Sequence, residues 1–222
     1  MPPGVARLLG GVVFALGLIL VVVAGAELVT GNMLLVMATA SRRITVLQLM
    51  RTWGVVFAAN AVGAVGAACL VVWSGRLDAG DGSVGRRAAE IATAKTTLEP
   101  AEAFVSGVLA NVLVCLAVWL SFSARSVTDK VLGIVPPVAA FVAIGFEHSI
   151  ANLYFVPVAI LHRTWASDAA LASGGLADPD VVTWEAFLRD DLVPVTAGNV
   201  VGGAVLVGLV YWFVYLRHAE AT

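Results

Sequence analysis

The stretch Gly145-Phe146-Glu147-His148-Ser149-Ile150-Ala151-Asn152 lies in the middle of an apolar run that covers 131–161. It places a carboxylate, a histidine and an asparagine where the flanking residues are almost all aliphatic. A second stretch, Gly25-Ala26-Glu27-Leu28-Val29-Thr30-Gly31-Asn32, interrupts another long apolar run over 8–40. Either run, as one unbroken helix, would reach about 45–50 Å at ~1.5 Å per residue, against a hydrocarbon core of ~30 Å. Two helices broken at their polar, glycine-bearing centres are the economical reading.

The interruptions match one another. Each reads Gly-x-Glu-x-x-x-x-Asn, at Gly25/Glu27/Asn32 and at Gly145/Glu147/Asn152, and the helix after each carries Asn-x-x-Gly, at Asn60/Gly63 and Asn199/Gly202. Agreement at both places, in order, indicates an internal repeat. Paired broken helices in the two halves of a membrane protein point to a pore or binding site near the bilayer midplane. Unwound backbone is tolerated at that depth only where protein or a polar cavity satisfies it.

The rest of the chain fits a bilayer. Of its 222 residues 60% are hydrophobic and 13% charged, too apolar a composition for a soluble domain of this size. The net charge of -2 gives no basic surface for nucleic acid. Three further apolar stretches, 53–73, 104–122 and 193–216, each suit one span of ~20 residues. Cys69 and Cys115 lie inside apolar runs as small buried hydrophobes, and two cysteines make no zinc or disulfide framework. No residue pattern implies a cofactor or a metal. The N-terminal apolar run continues past signal-peptide length into Glu27, so it reads as structure.

We therefore expect an all-α membrane protein, an inverted-repeat helical bundle forming one transmembrane domain over 1–222. Its repeats would cover 8–73 and 103–216. The second repeat has an opening helix before its broken helix and the first does not, so symmetry predicts a missing first transmembrane helix, with Met1 a misplaced start. The short basic connections 41–52 and 123–130 read as cytoplasmic, and the longer acidic segments 74–102 and 162–192 as outer. The second of these should hold a short helix near 181–189.

At this level of detail the residues resemble a known family. Gly25 to Asn32, Asn111 with Val114-Cys115-Leu116-Ala117-Val118-Trp119, Asp129-Lys130, Gly145 to Asn152 and Pro194-Val195-Thr196-x-Gly198-Asn199 are similar to the formate/nitrite transporter family, and within it to the formate channels. The resemblance runs over nearly the whole chain and implies an aquaporin-like protomer of six helices, five of them present here. It also implies a homopentamer in the bacterial inner membrane, with one pore per protomer for small monovalent anions such as formate and nitrite. It places an outer constriction on Phe14 and Phe141, an inner one on Leu18 and Val29, and a central polar pair on Thr30 and His148. Lys95 would make the outer vestibule electropositive, with Asn111 and Asn199 at the pore mouth. Val29 departs from the bulky aromatic usual in the family, which implies a wider inner gate.

Each residue also has a plainer reading. A membrane threonine often bonds its own helix backbone. Phe14 and Leu18, at i and i+4, share a helix face that packing or lipid contact would explain. Lys95 alone would be a solvated loop charge. Glu27 and Glu147, with Asn32 and Asn152, are read as loop-structuring groups that accept orphan amide hydrogens at the half-helix starts, not as a proton relay. An ionisable His148 at membrane depth is a functional residue by default, able to hydrogen-bond a carboxylate or to give it a proton, so channel flow and proton-coupled transport through this central histidine are both open. Ser149 adjoins His148 but neighbours in sequence do not face one another on a helix, so an intramembrane hydrolase is disfavoured, and the chain is not expected to be an enzyme. Nitrite or hydrosulfide conduction, or a non-transporting fragment, remain the alternatives.

Overall fold

The computed structural model describes residues 2–166 and 175–217. Helix α1 (Pro3–Ala24) ends at Gly25, whose left-handed φ of 78° stops the helix without a Cβ clash. The chain then runs irregularly, through a turn at Val29 and Thr30, to a second, short apolar helix, α2 (Gly31–Ala40), whose first turn is 3-10. Helix α3 (Val46–Trp73) opens on a capping box between Thr45 and Gln48.

The second half repeats the device. Helix α5 (Pro100–Phe122) leads to α6 (Val127–Ile144), which opens on a Ser126/Asp129 capping box and ends at Gly145 with φ 92°. Helix α7 (Ser149–Thr164) follows the break, and α8 (Trp184–Leu216) closes the chain. Helices α1, α3, α5, α6 and α8 are long and apolar enough to cross a membrane. The chain is thus an integral, multi-pass membrane protein, with α2 and α7 as the half-helices after the two breaks.

Packing follows the repeat. The two pre-break helices α1 and α6 lie against each other, α3 packs on α7, and α8 packs on α2. Helix α5 lies between α6 and α8. Small residues set the closest approaches: a Cβ on Gly198 or Gly202 would strike the backbone of Phe104 or Val108 on α5. By contrast Gly63, the counterpart of Gly202, meets nothing within 4 Å.

Two connections differ from expectation. Segment 74–102 contains a 14-residue amphipathic helix, α4 (Ser83–Thr96), which packs on α7 and on the start of α8. The separate short helix expected near 181–189 is instead the beginning of α8, because Thr183 caps the chain at Ala186 N and no breaker intervenes before the apolar span.

Candidate functional site

The two breaks are held open by the same bonds. In the first, Asn60 Nδ2 donates to Glu27 O (2.9 Å) and its Oδ1 accepts from Val29 N (3.0 Å). In the second, Asn199 Nδ2 donates to Glu147 O (3.2 Å) and its Oδ1 accepts from Ser149 N (2.9 Å). Each asparagine thus satisfies one orphan carbonyl and one orphan amide of an unwound turn. A carboxylate, which only accepts, could not do both. The break asparagines also close alike, Asn32 N on Leu28 O (3.0 Å) and Asn152 N on His148 O (2.9 Å).

The break glutamates therefore work differently from expectation. They take side-chain donors, not backbone amides: Glu27 Oε2 accepts from Asn32 Nδ2 (2.6 Å), and Glu147 Oε2 from Asn152 Nδ2 (2.7 Å) and Lys95 Nζ (2.6 Å). The orphan amides go to Asn60, Asn199, Ser106 Oγ (from Glu147 N, 3.0 Å) and His148 itself.

His148 is the N-cap of α7. Its Nδ1 accepts from Ala151 N (3.2 Å), so in the neutral ring the hydrogen sits on Nε2, which lies 2.9 Å from Thr30 Oγ1 and donates to it. This bond joins the two breaks across 118 residues of sequence. Both side chains are buried.

On one side of the pair is a 220 Å³ apolar cavity lined by Phe14, Leu18, Leu28, Phe141, His148 and Ile150 among others. The Phe14 and Phe141 rings meet edge to face with centroids 5.8 Å apart, and Phe141 stacks on the His148 ring at 6.0 Å. Phe14, Phe141, Leu18 and His148 are thus gathered around one space. Val29 is not among them: it is buried with Met33, Cys115, Ala204 and Val207, away from Leu18. Leu28 takes the place expected for Val29. The repeat itself carried that signal, since in its register Leu28 corresponds to His148, Leu18 to Val138 and Val21 to Phe141, and all six line the cavity.

The residues expected at an open mouth lie elsewhere. Asn111 and Asn199 are fully buried, and Asn111 Nδ2 donates to Asn199 O (2.6 Å) while Asn199 Nδ2 also donates to Gly107 O (2.8 Å). They clamp α5 to α8 because small residues bring those backbones too close for an open channel between them. Lys95, in the last turn of α4, is ion-paired to Glu147 with its side chain 14% exposed, in place of a free vestibule charge. His162 is buried against Asp78 at 2.9 Å, and His218 lies outside the described residues. Among the described residues no group of three or more His, Cys, Asp or Glu is placed to hold a metal.

Two broken helices that meet at a histidine–threonine pair, under a narrow apolar cavity, define a membrane channel of the broken-helix class. The pattern of the Formate/nitrite transporter family matches residues 1–213. The chain is 47% identical over 222 residues to the formate channel FocA of Escherichia coli strain K12, covering 99% of this chain and 78% of that one. It is 37% identical to the formate channel FocB of the same strain, covering 95% and 76%. A solved pentameric formate channel with formate bound superposes with a TM-score of 0.90 at 42% identity, covering 98% of this chain and 86% of that one. An FNT family ion channel superposes at 0.80 with 32% identity, covering 96% and 79%. The chain belongs to the formate/nitrite transporter family.

Proposed function

We propose that the chain conducts formate and similar small monovalent anions across the bacterial inner membrane, as one protomer of a homopentamer with a pore in each protomer. The formate channels among its relatives support the substrate, and the pentameric neighbour supports the assembly. Repeats over 8–73 and 103–216 would supply one broken helix each to every pore. The observation that carries this reading is the Thr30–His148 bond beneath the apolar cavity.

An anion in that cavity loses hydration and meets aliphatic and aromatic walls, which is costly unless a donor compensates. Nε2–H of His148 is that donor. It is released when Thr30 yields it, so the anion replaces Thr30 Oγ1 as acceptor and the ring stays neutral. To give the anion a proton the ring would first have to be protonated on both nitrogens, and its Nδ1–H would then face the Ala151 N–H, donor against donor. The α7 cap therefore favours a hydrogen-bonding histidine over a proton-donating one. Phe14 and Phe141 narrow the cavity, and Leu18 and Leu28 exclude water between the aromatic pair and the Thr30–His148 bond.

The test is His148→Asn. Asparagine keeps an amide donor and is a good N-cap, but exchanges no proton in the range, about pH 5 to 8, where histidine titrates. Formate flux in proteoliposomes should persist at a reduced level with the parent's pH profile. Loss of acid activation in the variant alone would establish proton transfer by His148 and overturn the hydrogen-bonding role. Absence of formate flux in the parent, with flux of nitrite retained, would overturn the substrate.

A further inference from the structure

Behind the pore histidine lies a cluster that the conduction pathway does not use. Asp191, in the third turn of α8, is fully buried. Its Oδ1 accepts from Asn152 Nδ2 at 2.7 Å, and the same amide nitrogen donates to Glu147 Oε2 at 2.7 Å. One NH2 group thus bridges two carboxyl groups with its two hydrogens. Lys95 Nζ reaches only one of them, Glu147, at 2.6 Å.

The charges do not balance if both acids are ionised. Glu147 Oε2 receives a cation and an amide, the environment of a carboxylate. Asp191 has one neutral donor on Oδ1, and its Oδ2 is buried without a partner. Asn152 Oδ1 is likewise buried without a partner. The cluster has one cation for two acids and two acceptor oxygens lacking a hydrogen. One added proton balances the charge and gives the buried Asp191 Oδ2 a hydrogen of its own.

The groups around Asp191 offer no other counter-charge. From α4 comes Lys95, already paired; from the break before α7 come Glu147 and His148. The acids of α5, Glu99 and Glu102, are exposed at its N-terminal end. On α8 itself, Asp190 pairs with Arg189 (Nε to Oδ1, 2.8 Å), and Arg189 also reaches Glu185 at 3.3 Å, on an exposed surface.

We propose that Asp191 is a proton-binding residue, neutral in the resting protein, and that its ionisation adds an unpaired negative charge behind His148. This rests on the reading that an anion passes His148. Glu147, which holds Lys95, is adjacent to His148 in the chain, so the cluster lies beside the point the anion must reach. With Asp191 neutral, Lys95 and Glu147 cancel and the anion meets no net opposing charge. With Asp191 ionised the cluster is negative and repels it. Conduction should therefore fall as pH rises, for a reason separate from the anion's own titration and from His148.

Infrared spectroscopy of the reconstituted full chain tests the proton directly. The parent at neutral pH should show the carbonyl stretch of a protonated carboxyl, shifted by isotope-labelled aspartate and absent in Asp191→Asn. A band that persists unchanged in that variant, or no band in the parent, overturns the assignment. Glu147→Gln serves if Asp191→Asn does not fold: Lys95 then lacks its carboxylate, Asp191 gives up its proton to supply one, and the band should vanish; a band retained there overturns the shared charge balance. In flux, Asp191→Asn should hold the parent's acid-side rate as pH rises, whereas an unchanged decline overturns the effect on conduction. A parent that shows the band but passes no formate would leave the proton site standing and remove the anion reading. Formate flux without the band would do the reverse.

Discussion

The two breaks carry the same glutamate, the same asparagine and the same clamp, yet they live in different surroundings. At the first, Glu27 is exposed, Asn60 is half-buried and Gly63 faces open space. At the second, Glu147 and Asn199 are buried, and Gly202 is pressed against Val108 of α5. The difference comes from what covers each. Helices α4 and α5 and the start of α8 close over the second break. The corresponding faces of α1 and α3 hold no helix of the described chain, and α3 buries 11% of its most apolar window where α5 and α8 bury 44%. The lesson is that the unwound geometry comes from the asparagine clamp, which is the same in both, while the energy at stake comes from burial, which is not.

The largest expected effect separates the glutamates. Lys95→Met leaves Glu147 a buried charge without its cation, and breaking such a pair typically costs about 3–5 kcal/mol. Glu27 bonds Asn32 on an exposed face of the chain, so Glu27→Gln should stay within about 0.5 kcal/mol. Thermal unfolding in detergent reads both. Comparable losses would mean that the first break is as enclosed as the second.

The asparagine clamps come next. Asn199→Ala strands the buried Ser149 N–H and removes the donor to Glu147 O, at about 1–3 kcal/mol in all. Asn60→Ala should cost less, since its clamp is only half-enclosed by the chain. Equal cost at both would show that the clamp, not its burial, sets the penalty.

The glycines give a smaller contrast. Gly202→Ala forces a methyl group into the Val108 backbone, an overpacking worth about 1–3 kcal/mol, whereas Gly63→Ala should be close to neutral. A large cost at Gly63 would reveal a neighbour packed there in the assembled protein. The smallest effect on conduction is expected at Val29. Val29→Phe must overpack the cluster of Met33, Cys115 and Val207 before it touches the cavity. It should lower stability by about 1–3 kcal/mol and leave the ratio of formate to acetate flux unchanged, while Leu28→Ala should raise the relative flux of acetate.

Much of the site was legible because its signals are local or repeated. Apolar runs too long for one span, each interrupted by glycine, glutamate and asparagine, gave two broken helices. The repeated motifs linked Asn60 with Asn199, and the register of the two breaks pairs Leu28 with His148, which line one cavity. Lys95 was misread as a vestibule charge because a lysine between apolar spans looks solvated. Its partner Glu147 is 52 residues away, and only the packing of α4 on α7 brings the two together, which no spacing along the chain encodes.

By itself the sequence determined the class of the protein: hydropathy fixes where a chain must span a bilayer, and a doubled polar break at mid-span is too costly to occur without a cavity to serve. It also determined which residues could be polar at that depth, because so few are. Only the tertiary structure decided which of them meet. The Thr30–His148 bond spans 118 residues, the Asn152–Asp191 bond 39, and Val29 and Leu28, neighbours in sequence, point into different clusters. The physical reason is that an unwound turn has no fixed periodicity. Which side each of its residues faces is set by the asparagine that clamps it from another helix, and not by spacing along the chain.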